Sequence, residues 1–304
     1  MSSFGQIGFY SALLNAQEKD TLLLDDYPNA AMACSLRLLS STYTGKCLKV
    51  RRSSDNAEAS IGFVNNELDT VSLLAFVGAN DGFVTTWYNQ NGSGGDNPNS
   101  VTAATQPQIV DAGSLVTVGG KPAIYALATS LLSAGSTSTF KYLHDGTIKS
   151  STVTVIKTST NISPLRFFWL TGNSGGTSVE AGTYFYGGDI IQRVKNGSGS
   201  ISNIDTNSAS KHQSIFQIYD VGNPTAADKL ITYVNNGSAI ATNTSSFTPN
   251  TGNSTFPLMV FNYPNYSASY GLHGYCQELI FWDDDYSADK AAINTNINDY
   301  YSIY

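Results

Sequence analysis

Hydrophobic and polar positions along this chain mostly alternate in short runs with a period near two, and polar turn clusters break the runs at short intervals. Residues 151–156 and 214–219 are rich in β-branched and aromatic side chains and read as strands, and residues 83–88 read as a buried strand. Cys47-Leu48-Lys49-Val50-Arg51 alternates so that Leu48 and Val50 face a core. The stretch from Ala31 to Arg52 thus predicts two strands, the first marked by the alternation of Leu36-Arg37-Leu38 and set off from the second by the turn Thr44-Gly45-Lys46. Residues 230–240 predict a hairpin in which the Asn-Gly of Asn235-Asn236-Gly237 supplies the positive φ angles of a tight turn.

Two stretches carry a helical period instead. Residues 66–76 predict a short helix, with Asn and Asp oxygens near its start and Gly78 past its end. Ser287 is placed to cap a C-terminal helix whose Ile293, Ile297, Tyr300, Tyr301 and Tyr304 share one face, which should lie against a sheet. Residues 1–28 differ from the rest. Phe9, Tyr10, Leu13 and Leu14 suit one side of a helix, Thr21-Leu22-Leu23-Leu24 is a compact apolar run, and Pro28 ends the segment. That segment suits packing on the domain or docking on a partner chain. Residues 29–304, which show no linker and no repeat, form one domain: an all-β sandwich closed by a short C-terminal helix.

Composition supports this reading. Only 13% of the 304 residues are charged while 12% are aromatic, a balance of short strands and polar turns rather than of long surface helices. A hydrophobic content of 41% is enough for a sizeable core. The net charge of −7 argues against a nucleic-acid partner, which would need clustered cations. Neither a secretion signal nor a membrane span is legible, so synthesis in a cytoplasm is expected. The adjacent cations Arg51 and Arg52 read as structural, with an ion pair to Asp55 as one option. Cys34, Cys47 and Cys276 have no metal-ligand spacing and read as buried thiols.

Several stretches resemble known families. The Tyr233-Val234-Asn235-Asn236-Gly237 turn, the strand Gly274-Tyr275-Cys276-Gln277-Glu278-Leu279-Ile280-Phe281-Trp282 and the closing helix resemble concanavalin-like (jelly-roll) and laminin-G-like domains of phage and bacterial type. Ser35-Leu36-Arg37, Ser41-Thr42-Tyr43-Thr44-Gly45, Arg51-Arg52-Ser53-Ser54-Asp55, Trp87-Tyr88-Asn89-Gln90 and Gln106-Pro107-Gln108-Ile109-Val110 are similar to the N-terminal part of the fungal α-L-arabinofuranosidase B catalytic domain. The resemblance implies a concanavalin-like sandwich. It also implies an acid/base within residues 259–275, a stretch that holds no Asp or Glu, and a carboxylate where this chain has Asn89.

A retaining glycosidase needs two carboxylates about 5 Å apart. Glu180 and Asp189, flanking Tyr184-Phe185-Tyr186, are the candidates, although their spacing does not by itself make them converge. His144, His212 and His273 are isolated and read as surface or packing residues. Asp283, Asp284 and Asp285, with Asp289, offer oxygen ligands for Ca²⁺, and equally a solvated turn feeding the helix N-terminus. Tyr263, Tyr266 and Tyr270 with Asn262 form a candidate carbohydrate-binding loop, or equally a loop packed on itself or a neighbouring subunit. These features predict a phage virion structural or adhesion protein that presents a carbohydrate-binding sandwich for host attachment. It would be a homo-oligomer joined to other virion proteins through residues 1–28, with a host surface glycan as ligand. The alternative is a glycoside hydrolase of arabinofuranosidase type.

Overall fold

In a computed structural model of the chain, which describes residues 21–92, 94–159, 165–173, 177–205, 210–263 and 270–304, the alternating runs become two large antiparallel sheets. The eleven-stranded sheet runs Leu230–Val234, His212–Tyr219, Ser150–Thr158, Gly274–Trp282, Ile124–Ala126, Gln108–Asp111, Gly82–Trp87, Leu48–Arg52 and Glu58–Ile61, with Ala30–Ser35 and Ser114–Leu115 attached beside it. The central strand, Gly274–Trp282, is paired on both sides. Ser150–Thr158 lies along one side, and Ala30–Ser35 and Ile124–Ala126 share the other. The six-stranded sheet runs Leu132–Ala134, Leu258–Val260, Arg166–Leu170, Val179–Tyr186, Asp189–Asn196 and Ser200–Asp205.

The two sheets face each other across the main core, because alternate residues of each strand point inward. Val50, Val84, Cys276, Leu279 and Phe281 from the larger sheet meet Trp169, Ala181, Phe185, Val194 and Val260 from the smaller. Trp169 packs edge-on to Phe281 at 4.9 Å between ring centres. One polar seam crosses this core. Thr183 donates to Gln217 (2.7 Å), Gln192 to the Ile218 carbonyl (2.7 Å) and Thr232 to Gln192 (3.0 Å). Because each of these buried groups finds a partner, a slipped register would leave several unsatisfied.

The other face of the larger sheet is covered by two helices. Leu23 and Leu24 of helix α1 (Leu23–Asp26), and Ile293, Ile297 and Tyr301 of the C-terminal helix, pack on Ala33, Val153, Val155, Phe216, Ile280 and Trp282. The residues 21–28 thus lie on their own domain; Phe9, Tyr10, Leu13 and Leu14 fall outside the described residues.

A buried ion pair ties these layers together. Arg37 donates from Nε and an η nitrogen to the Glu278 carboxylate (2.8 and 3.1 Å) and from its other η nitrogen to Asn296 on the C-terminal helix (2.8 Å). The Ser35 hydroxyl donates to the same carboxylate (2.8 Å), and the guanidinium stacks over Tyr300 and Tyr301. The nearby carboxylate holds the Arg37 pKa up despite the opposing effect of burial.

Several local expectations change in the folded chain. The first of the two strands expected between residues 31 and 52 is Ala30–Ser35, which ends just before Leu36-Arg37-Leu38, and Arg37 is buried where simple alternation would expose it. Residues Glu67–Leu68 pair as a strand with Phe63–Val64, so helix α2 begins later, at Thr70–Val77, where the Asp69 side chain accepts from the Ser72 amide (2.9 Å). In the hairpin after Val234 it is Asn235 and Asn236, with φ 50° and 57°, that take the left-handed conformation; Gly237 follows the turn. The C-terminal helix α3, Lys290–Tyr301, starts past Ser287, whose hydroxyl instead accepts from Lys149 (2.9 Å). Tyr304 lies beyond the helix and is 52% exposed. The Arg52–Asp55 pair is present but exposed, and it holds the Asp55 carboxyl down to about 2.

Breaking the buried pair with Arg37→Met is expected to destabilise the fold by about 3–5 kcal/mol, because it strands the Glu278 carboxylate away from water. Arg52→Met, at an exposed pair, should shift the urea midpoint far less. Equal shifts in the two variants would contradict the account.

Candidate functional site

The outer face of the smaller sheet, opposite the core, is where chemistry-bearing side chains gather. A register shift between Phe167 and Trp169 inserts one extra residue into the strand Arg166–Leu170. Phe168 and Trp169 therefore both enter the core, whereas Phe167 and Leu170 turn outward to join Leu131 and Met259 in a separate apolar cluster. The next two strands are joined by the tight turn Gly187-Gly188, whose φ angles of 63° and 105° favour glycine. Their register sets Tyr184 opposite Ile191, Gly182 opposite Arg193 and Glu180 opposite Lys195.

Gly182 permits close approach of the neighbouring strand. A Cβ at that position would lie 2.8 Å from the Leu170 Cβ and 2.9 Å from the Trp169 carbonyl oxygen. Across this gap Arg193 reaches Glu180 (2.5 Å) and stacks over the Tyr184 ring at 4.7 Å. Ser178 donates to the second Glu180 oxygen (2.8 Å), and Glu180 is only 1% exposed. That carboxylate is thus held as a buttress for the guanidinium. Burial lowers the Lys195 pKa; Glu180 opposes that shift and Arg193 adds to it.

From Tyr184 the face continues as an unbroken run of aromatic contacts. Phe167 packs on Tyr184 (5.7 Å), Tyr263 (5.6 Å) and Tyr270 (6.3 Å), and Tyr263 meets Tyr270 edge-on at 5.5 Å. Tyr270 is 37% exposed. The structure therefore joins Glu180, Tyr263 and Tyr270, which the sequence offered as members of separate sites. Tyr266 lies outside the described residues. Asn262 is not available to a ligand: it is fully buried, donates to the Ala128 carbonyl (3.2 Å) and accepts from the Tyr263 amide (2.8 Å).

Glu180 and Asp189 are not brought together. They sit at opposite ends of one hairpin, separated by about 20 Å at about 3.3 Å per strand residue. Asp283, Asp284 and Asp285 are exposed; Asp285 pairs with Lys149 (2.9 Å) and Asp284 accepts from the Asp285 amide (2.8 Å). Among the described residues no group of three or more His, Cys, Asp or Glu side chains is arranged to hold a metal ion. His144 is buried and bonded to the Gly252 carbonyl (3.1 Å), His212 is bonded to Gln277 (2.7 Å), and His273 packs beside Tyr125. Asn89 is buried as well. It accepts from the Ala33 and Asn91 amides (2.8 and 3.1 Å) and donates to the Gly95 carbonyl (3.0 Å), so the site calls for an amide.

Arg193, Lys195, Tyr184 and Phe167 were not singled out by sequence. The signal for the first three was nevertheless present. Once Gly187-Gly188 is taken as a two-residue turn, counting outward pairs Glu180 with Lys195 and Gly182 with Arg193.

No protein-family model and no curated protein matches the chain in sequence. Solved structures do match in fold. A mutant GH54 α-L-arabinofuranosidase soaked with 4-nitrophenyl α-L-arabinofuranoside superposes with TM-score 0.58 at 14% identity, covering 88% of this chain and 62% of that one. An arabinofuranosidase complexed with arabinofuranosyl-α-1,2-xylobiose gives TM-score 0.55 at 16% identity, with the same coverage. A CBM40 domain of a Ruminococcus gnavus sialidase gives TM-score 0.40 at 17% identity, covering 52% of this chain and 85% of that domain. The chain thus spans under two thirds of the length of the arabinofuranosidases it matches, and the likeness is one of all-β sandwich fold.

Two measurements check the roles given to buried polar groups. Asn89→Asp should destabilise the fold by about 1–3 kcal/mol in urea unfolding, because the carboxylate cannot donate to Gly95. Burial holds the His144 pKa below its ordinary value of 6.5. The unfolded chain therefore takes up a proton that the folded chain resists. This contribution to stability is complete above about pH 6.5 and is lost as the pH falls below it. His144→Gln should flatten that part of the decline in thermal midpoint; an unchanged slope would contradict it.

Proposed function

We propose that this chain is a saccharide-binding β-sandwich that holds a host-surface glycan against the outer face of its smaller sheet and serves a virion as an adhesion module. The observation that carries the binding half is Tyr270, 37% exposed, beside half-buried Tyr263 and backed by the buried Phe167 ring, with Tyr184 held beneath Arg193. Aromatic rings offer apolar faces to the C–H side of a sugar. The similar fold of an arabinofuranosidase complexed with arabinofuranosyl-α-1,2-xylobiose supports the sugar as ligand class. The virion half is motivated by the resemblance of the closing helix to that of phage-type domains; the described part of the N-terminal segment, residues 21–28, packs on its own domain. Hydrolysis is the weaker reading, because Glu180 is enclosed by Arg193 and Ser178 and Asp189 stands at the far end of the hairpin.

A glycan array, including host envelope polysaccharides, should give specific binders, and Tyr270→Ala should weaken them about tenfold, or about 1.4 kcal/mol. Tyr304→Ala, at a distant exposed tyrosine, should leave affinity unchanged. An array without binders would remove the binding assignment. Purified particles lacking the protein would remove the virion assignment. Sugar release abolished by Glu180→Gln would favour the hydrolase.

A further inference from the structure

A second recess lies on the opposite side of the molecule. It is a cavity of about 310 Å³ between helix α3, the start of helix α1 and the turn Asn65-Asn66 that joins Phe63–Val64 to Glu67–Leu68. That volume is at the lower end of the range used for small ligands. Its wall is formed chiefly by Arg37, Asn65, Asn66, Glu67, Asp299 and Tyr300.

The charges of this wall are largely matched within the protein. Arg37 is paired with Glu278, and Glu67 accepts from Lys121 (2.9 Å) and from the Tyr300 hydroxyl. The Tyr300 ring carries Arg37 at 4.9 Å and Lys121 at 4.0 Å from its centre, which leaves little of the ring for a stacked ligand. Asp299 is exposed and makes no ion pair among the described residues. Asn65 and Asn66, both left-handed with φ 52° and 65°, use none of their side-chain atoms in hydrogen bonds among the described residues. The cavity thus presents one carboxylate that accepts and two carboxamides that both donate and accept.

We infer that this cavity is a binding site for a polyhydroxylated ligand without negative charge, a monosaccharide unit or a polyol, held by hydrogen bonds and not by stacking. The donor and acceptor set fits hydroxyls, which are both donors and acceptors. Asp299 opposes an anion, and Arg37 and Lys121 are already paired with Glu278 and Glu67 and so do not offset it. The site is independent of the outer face of the smaller sheet, because helix α3 covers the far side of the larger sheet.

The test is an NMR titration of the full chain with D-galactose, D-glucose and myo-inositol, run beside D-glucuronate and D-glucosamine. At least one uncharged compound should move the backbone signals of Asn65, Asn66 and Asp299 to saturation, without moving those of Tyr184 and Arg193. Asp299→Ala and Asn65→Gly should each weaken that binding about tenfold, with the remaining signals unchanged; glycine keeps the left-handed backbone at position 65. Three results would overturn the inference: no saturable shift at these residues with any uncharged compound, full affinity in both variants, or binding of glucuronate as tight as that of the uncharged compounds.

Discussion

The pair between Arg37 and Glu278 is the interaction on which the layered structure depends. Two charges withdrawn from water are tolerable only when every donor and lone pair near them is matched. Here the match is assembled from distant parts of the chain: Ser35 at the end of the first strand, Asn296 on the closing helix and Tyr300 and Tyr301 stacked above. The backbone around Arg37 is fixed in turn by Gln90, which donates to the Ser35 and Arg37 carbonyls and accepts from the Leu39 amide. A helix moved along the sheet would break several of these bonds together. The pair therefore sets where the helix lies as well as holding it.

This constraint divides the molecule into a side committed to packing and a side left for chemistry. On the larger sheet, helices α1 and α3 cover Ile280, Trp282 and Phe216. Among the described residues the outer face of the smaller sheet has no such helix. The irregularity at Phe168 and the missing side chain at Gly182 give that face its form: one sends Phe167 and Leu170 outward, the other lets Arg193 and Glu180 meet beside Tyr184. Both features weaken the regular sheet locally, as is common where a sheet re-aims side chains.

Much of the fold could be read directly. Leu48 and Val50 face the core, residues 83–88 contain a buried strand, and Ile293, Ile297 and Tyr301 seat the closing helix, because each assignment rests on short-range periodicity. Arg37 could not be read this way. Its alternation with Leu36 and Leu38 is that of an exposed side chain, and its carboxylate partner is supplied from the other end of the chain. The same limit applies to Asn89, whose amide is required by backbone groups at Ala33 and Gly95.

The candidate site divides along the same line. Tyr263 and Tyr270 stood out by composition, and Glu180 by scarcity of carboxylates, but nothing local linked them. Sequence alone determined the all-β class, most of the strands and the amphipathic closing helix, since these follow from backbone preference and from which side chains avoid water. Tertiary structure decided which strand lies beside which, that Glu180 braces Arg193 instead of facing Asp189, and that Asn262 is buried. Those outcomes depend on register and on contacts between residues far apart in the chain, where a shift of one residue reverses the face on which every side chain falls.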